Sequence, residues 1–155
     1  MMIRAILTSV WEGAVKRFSG TSAHGALASR ELFQHHGFTS RPLPGAEAIV
    51  LRNGNILISI AEDDRRYRLA IEQGEVALYT DEGDKIHLKR GRIIEITAGT
   101  KVSMITPLVE MSGNLVVSGD VSDAAGKMSA MRITYNSHTH ADPQGGMVTA
   151  TTMTM

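Results

Sequence analysis

Cysteine is absent from this chain of 155 residues, and aromatic residues make up only 5% of it. The first absence removes a disulfide framework, a thiolate nucleophile and a zinc ribbon from consideration. The second restricts any core to Ile, Val, Leu, Met and Ala. That is thin material for a monomer of this size, because each Phe, Tyr or Trp buries about 150–250 Å². Net charge is missing too. Sixteen basic residues balance sixteen acidic ones, so no electrostatic pull toward nucleic acid or an anionic membrane is expected. No apolar run approaches the ~20 residues that a bilayer span requires. The opening Met1-Met2-Ile3-Arg4 lacks the apolar segment of a signal peptide. A chain soluble as made and not exported through a cleaved signal is therefore expected. Its length predicts one medium domain or two small ones.

What is present changes along the chain. Residues 1–61 mix apolar runs with Gly and Pro, while residues 62–95 hold half of all charged side chains. From 111 onward only Asp120, Asp123, Lys127, Arg132 and Asp142 are charged, amid Ser, Thr, Gly and six of the nine methionines. Ile3–Val10 predicts a strand, Ala14–Phe18 a weaker one, and Ala46–Leu51 and Asn55–Ala61 two more. Asn53-Gly54 supplies the tight hairpin chemistry between the last two. Pro42, Pro44 and Gly45 exclude regular structure just before them. Leu27–His36 is the only plausible helix. Four or five strands in about 65 residues predict a small OB-fold-like barrel, here residues 1–66.

From Tyr67 on the pattern is strictly β. Tyr67–Ile71, Val76–Tyr79, Ile86–Lys89, Ile94–Thr97 and Val102–Met104 alternate in turn, followed by Val109–Met111 and Leu115–Ser118. Gly-containing turns recur between them every eight to ten residues. Such short, aromatic-poor strands bury too little to stand alone. Strands from several identical chains around a shared axis remove the difficulty, as in an intertwined β-helix or β-prism. Residues 67–118 are expected to form that shaft, roughly 40 Å long if about eight strands stack at ~4.8 Å. Residues 119–155 are expected to form its tip. The fold class predicted is all-β.

The chemical centre is Tyr135-Asn-Ser-His138-Thr-His140-Ala-Asp-Pro-Gln-Gly-Gly146. On a strand, His138 and His140 share one face, and neutral imidazole is a common borderline metal ligand. Two ligands make an incomplete site, and two surface histidines at a strand end remain the plain alternative. A threefold axis would gather six nitrogens, a set that suits octahedral Fe(II), Ni(II) or Co(II) better than tetrahedral Zn(II). Met147–Thr154 can then run back as a strand, leaving the pair just before a hairpin apex.

Other candidates read as structural. Asp63-Asp64-Arg65-Arg66 predicts an interchain ion-pair belt or a solvated face. His35 and His36 sit in a loop-like stretch where adjacent side chains diverge. His87, between Ile86 and Leu88, should face away from the shaft interior. His-x-His also opens the metal motif of cupin-type enzymes, but Ala141–Gly146 supplies no matching Glu and only fifteen residues follow His140. An OB-type barrel could bind single-stranded nucleic acid through Trp11, Phe18, Phe33 and Phe38. Glu12, Glu31 and Glu47 offset Arg4, Arg30 and Arg41, which favours core and assembly roles instead.

Several blocks together resemble the phage Mu-like baseplate central spike family: Gly37–Val50, Asp63–Leu69, Gly74–Tyr79, Ile86–Lys89 and Tyr135–His140, in the family's order. Arg4–Val10 is similar to its opening strand, whereas residues 11–30 depart from it. The resemblance implies a non-enzymatic homotrimer, with an OB-fold, a trimeric β-helical shaft and a pointed apex. Such a spike of a contractile tail perforates the outer membrane of a Gram-negative host. It further implies one axial iron ion held by His138 and His140 of each chain. Calcium and chloride occur on the axis of some related tips, and no residue here can be assigned to them. The implied partners are baseplate hub and tail tube proteins and the host outer membrane, with no nucleic acid. The implied location is the virion tail, after assembly in the host cytoplasm.

Overall fold

Ile3, Ala5 and Leu7 alternate along the first strand, and in the computed structural model all three turn inward, at most 4% exposed. The structure describes residues 1–141, 144, 145, 147 and 148, with the backbone alone at 140, 141, 147 and 148. β1 (Met2–Trp11), β2 (Arg17–Ser22), β3 (Gly25–Leu32), β4 (Glu47–Asn53) and β5 (Ile56–Asp63) close into a barrel of order β1-β2-β3-β5-β4. All its pairs are antiparallel except β3 with β5, which meet in parallel at Glu31↔Ile58 and Leu32↔Ser59. This is the OB-like barrel that the strand count predicts.

A bulge lies between Leu7 and Ser9 in the pairing of β1 with β2. It changes which parity faces the core, so Val10 rather than Ser9 continues the inward row. Opposite the bulge stands Gly20, where an added Cβ would lie 2.5 Å from the Ile6 carbonyl oxygen. Only glycine permits that approach. Phe18 is the one aromatic residue of the core and is fully buried, with Leu27, Leu32, Ala46, Ala48 and Val50 around it. The β4–β5 hairpin forms as expected, with a shifted centre. Asn53 pairs with Ile56 as the last rung, so the loop is Gly54-Asn55, with Gly54 at φ 57°.

Two expectations in this region are corrected. β2 begins at Arg17, three residues later than predicted. Leu27–His36 is not a helix: its first part is β3 and the rest is irregular. Barrel closure overrides the weak local helix preference. The strand still bends, because Ser29 adopts φ 50° and its N–H bonds the Ser19 hydroxyl at 3.0 Å. Lys16 then holds the following loop, donating to Gln34 Oε1, Thr39 Oγ1 and the Ser40 carbonyl at 2.7–3.0 Å.

β6 (Val76–Tyr79), β7 (Lys85–Lys89) and β8 (Ile93–Thr97) form an antiparallel meander. These match three of the predicted alternating runs. Tyr67–Ile71, by contrast, is not a strand, and no strand or helix occurs in residues 98–121. The runs Val102–Met104, Val109–Met111 and Leu115–Ser118 therefore lack the ladders expected for them. A strand needs a neighbour to bond, and one copy of the chain offers none here.

The chain divides into two compact units, Met1–Ser103 and Met104–Met155. The second holds α1 (Met128–Ser137), which is a correction because no helix was expected there. Ala, Met and Arg favour it locally, and Asp120 caps its start. The Asp120 carboxylate accepts from the Ser129 hydroxyl at 2.5 Å and from the Ser129 N–H at 3.2 Å. These bonds, the hydroxyl's foremost, hold Asp120 below the usual carboxylate range. No α1 side chain is buried. β9 (His140–Ala141) and β10 (Met147–Val148) pair as a small antiparallel hairpin.

Candidate functional site

The β6–β8 sheet has two chemically opposite faces. Cross-strand pairing aligns Leu78, Ile86 and Ile96 in one row and Val76, Leu88 and Ile94 in a second row on the same side. All six are 43–67% exposed. In a folded protein this is an apolar surface awaiting a cover. The first row also lines a groove of about 850 Å³, together with Phe38, Leu43 and Tyr67 from the barrel side.

The opposite face carries a tightly bonded polar network at its centre, beside Ala77, Tyr79 and Ile93. His87 stands there, away from Ile86 and Leu88 as its position predicts, yet it is only 6% exposed. Its Nε2 meets Glu75 Oε2 at 2.8 Å. Glu75 Oε1 accepts from the Arg90 N–H at 2.8 Å, and Oε2 from the Glu72 N–H at 3.2 Å. The Arg90 amide first, then the Glu72 amide and His87, hold the Glu75 carboxyl below the usual range. Beside it Lys85 and Lys89 flank Glu95 at 2.9 and 3.3 Å, and those ammonium groups, Lys85 foremost, lower the Glu95 pKa. Glu75 went unrecognised in the sequence. Its signal was the run Lys85-x-His87-x-Lys89, three cationic or protonatable groups on one face that require acidic partners.

The charge run between barrel and sheet is paired within the chain. Arg66 bonds Asp64 at 2.6 Å and the Pro44 carbonyl at 3.0 Å, Arg68 pairs with Asp63, and Arg65 and Arg4 both reach Glu47. His35 and His36 are exposed in a loop. Of the aromatics weighed for nucleic-acid contact, Phe18 is core, while Trp11, Phe33 and Phe38 are 46–63% exposed.

His138 follows α1 directly, with its backbone extended (φ −68°, ψ 146°) and its N–H bonded to the Thr134 carbonyl. Its ring packs 5.2 Å from that of Tyr135, and Nδ1 hydrogen-bonds the Tyr135 carbonyl. His140 starts β9, paired with Val148; its side chain lies outside the described residues, as do Asp142 and Pro143 of the turn. Within one chain, no three His, Asp or Glu side chains converge as a metal site among the described residues. No helix among them is long and apolar enough to cross a membrane.

Comparison with known proteins points one way. Residues 4–66, the barrel, match the family model described as Bacteriophage Mu Gp45, N-terminal. The "Baseplate puncturing device gp45" of Escherichia phage Mu is 35% identical over 98 residues, which cover 56% of this chain and 50% of that relative. The chain thus spans about half the length of the curated relative it matches.

Proposed function

We propose, from the match of residues 4–66 to the Bacteriophage Mu Gp45 N-terminal model and the likeness to the puncturing device of phage Mu, that this chain is the central spike of a contractile tail baseplate. It acts mechanically and without catalysis: three copies form a rigid body that pierces the outer membrane of a Gram-negative host when the tail contracts. Residues 1–66 form the base that meets hub and tube proteins, residues 67–118 the shaft, and residues 119–155 the tip.

The observation that carries this reading is the double apolar row on β6–β8. Three such sheets set as the sides of a triangle would cover one another's apolar faces. The five-residue strands of β7 and β8 are about 17 Å long at ~3.4 Å per residue. A triangle of that side leaves about 5 Å from each sheet to the axis, half the ~10 Å spacing at which sheets pack face to face. Three copies fit where two would leave edges open and four would leave a hollow. Full burial of an aliphatic side chain contributes about 1.5–3 kcal/mol. Six half-exposed residues therefore supply roughly 6 kcal/mol per chain on assembly. The same association gives residues 98–121 the neighbours their alternating runs lack. The sparsely charged stretch beyond 111 lowers the desolvation cost of entering lipid.

At the tip, His138 and His140 of each chain would hold one iron ion on the axis. The donor chemistry fits, since six imidazoles make an octahedral set suited to Fe(II). The His138 ring is held through Nδ1 against the Tyr135 carbonyl, the kind of outer contact that orients a ligating imidazole. Bound there, the ion would cross-link three chain ends at the place where fraying is otherwise easiest.

Sedimentation with elemental analysis tests the proposal. Three chains and one transition metal ion per assembly are expected, and a monodisperse monomer would overturn it. His138→Ala combined with His140→Ala should lose the metal and keep the trimer. Loss of all β-structure in that variant would make the site a folding nucleus instead.

A further inference from the structure

The two ends of the β6–β8 sheet carry opposite charge. At one end the turn between β6 and β7 is Thr80-Asp81-Glu82-Gly83-Asp84, and at the other the turn between β7 and β8 follows Lys89 with Arg90-Gly91-Arg92. Both turns are held rigid from within. Thr80 N–H bonds the Asp84 carbonyl at 3.0 Å, Gly83 N–H bonds the Thr80 carbonyl at 3.2 Å, and Asp84 Oδ1 accepts from Gly99 N–H at 2.8 Å. The basic turn is tied down by the Arg90 N–H on Glu75, which His87 anchors in turn. Lys89 and Asp84 are engaged inside the chain, but Asp81, Glu82, Arg90 and Arg92 are exposed. Among the described residues none of those four side chains forms an ion pair; Asp81 acts only through a longer-range attraction on Arg66.

Arg92 adds an independent observation. It adopts φ 63°, a left-handed conformation that side chains other than Gly, Asn and Asp rarely take. Glycine would occupy the position without strain. The chain instead places a long cation there, and strain held at an exposed charged residue points to a use for the charge.

We propose that neighbouring copies dock head to tail through these turns, Asp81 and Glu82 of one copy against Arg90 and Arg92 of the next. The inference rests on the trimeric reading above and specifies its contact. In a triangle of sheets with the apolar rows inward, each corner joins the β6–β7 end of one sheet to the β7–β8 end of another. Opposite charges at such a corner attract, whereas a two-fold pair joined through its acidic ends sets three acidic residues against three. A heterologous contact of this kind closes into a ring when the rotation per copy divides a full turn. The charges thereby select the ring over a two-fold pair joined through like ends.

Charge exchange tests it. Wild-type protein is first sedimented at neutral pH, and a monomer there would remove the trimeric reading itself. With a wild-type trimer in hand, Asp81→Lys with Glu82→Lys, and separately Arg90→Glu with Arg92→Glu, should each weaken association at least tenfold. The chain carrying all four substitutions should recover it, and should not mix with wild-type chains in native mass spectrometry. Raising NaCl from 50 mM to 1 M should weaken wild-type association by screening the same pairs, a measurement that needs no substitution. Trimers unchanged in both half-exchanged variants and insensitive to salt would overturn the docking contact while leaving the spike reading intact.

Discussion

The barrel and the three-stranded sheet solve the same problem in different ways. The barrel hides its apolar residues from water by closing on itself: every buried hydrophobic residue of the described chain, from Ile3 to Val50, lies in it. The sheet aligns its apolar residues just as regularly and leaves them 43–67% exposed, while its opposite face is sealed by His87–Glu75 and Lys85–Glu95–Lys89. A polar network that is satisfied on one face and apolar rows that are bare on the other is the reverse of what a free-standing sheet needs. The contrast teaches that the first 63 residues carry a core of their own, whereas the sheet that follows leaves its apolar rows bare within one chain.

The sharpest way to break that contrast is to put a charge on the bare face. Ile86→Asp should weaken self-association about 100-fold or more, since the carboxylate would be trapped among apolar rows, with the barrel left folded. Sedimentation measures the first effect. Fluorescence of Trp11, the only tryptophan and a barrel residue, measures the second. Phe18→Ala should do the opposite, destabilising the barrel by about 3–5 kcal/mol at any protein concentration, as read by urea unfolding. Gly20→Ala should cost about 1–3 kcal/mol in the same assay, because its Cβ would collide with the Ile6 carbonyl oxygen. The smallest effect concerns the polar face. Glu75 has a depressed carboxyl pKa, so its stabilisation is present above the ordinary value of 4.5 and is lost as pH falls through the lower folded value. The protection of the Arg90 amide, its exchange rate relative to an unstructured amide at the same pH, should therefore fall in acid, below about pH 4.5. Glu75→Gln should flatten that dependence, and an unchanged acid profile would remove Glu75 from the account.

Much of this was legible in single residues. The alternation Ile3-x-Ala5-x-Leu7, the Asn53-Gly54 reversal and the runs Val76–Tyr79, Ile86–Lys89 and Ile94–Thr97 each predict the element found, because period-two patterning and turn chemistry are local. Leu27–His36 misled, because its helix preference is weaker than the ladders that close a barrel. Met128–Ser137 misled in the other direction: without partner strands at hand, local preference decides. The role of Glu75 was hidden for a third reason, since twelve residues separate it from His87 and only the fold of the segment before β6 brings the two together.

By itself, the order of residues determined which stretches could be strands, that few aromatics were available to cover them, and that two histidines stand two apart near the end. Tertiary structure alone decided that the barrel closes through a parallel β3–β5 contact, that a bulge at Leu7–Ser9 carries Val10 inward, and that the sheet's polar face is locked while its apolar face is bare. The division has a physical cause. Patterning and turns are set by neighbours in the chain, whereas register, closure and burial depend on which distant segments meet.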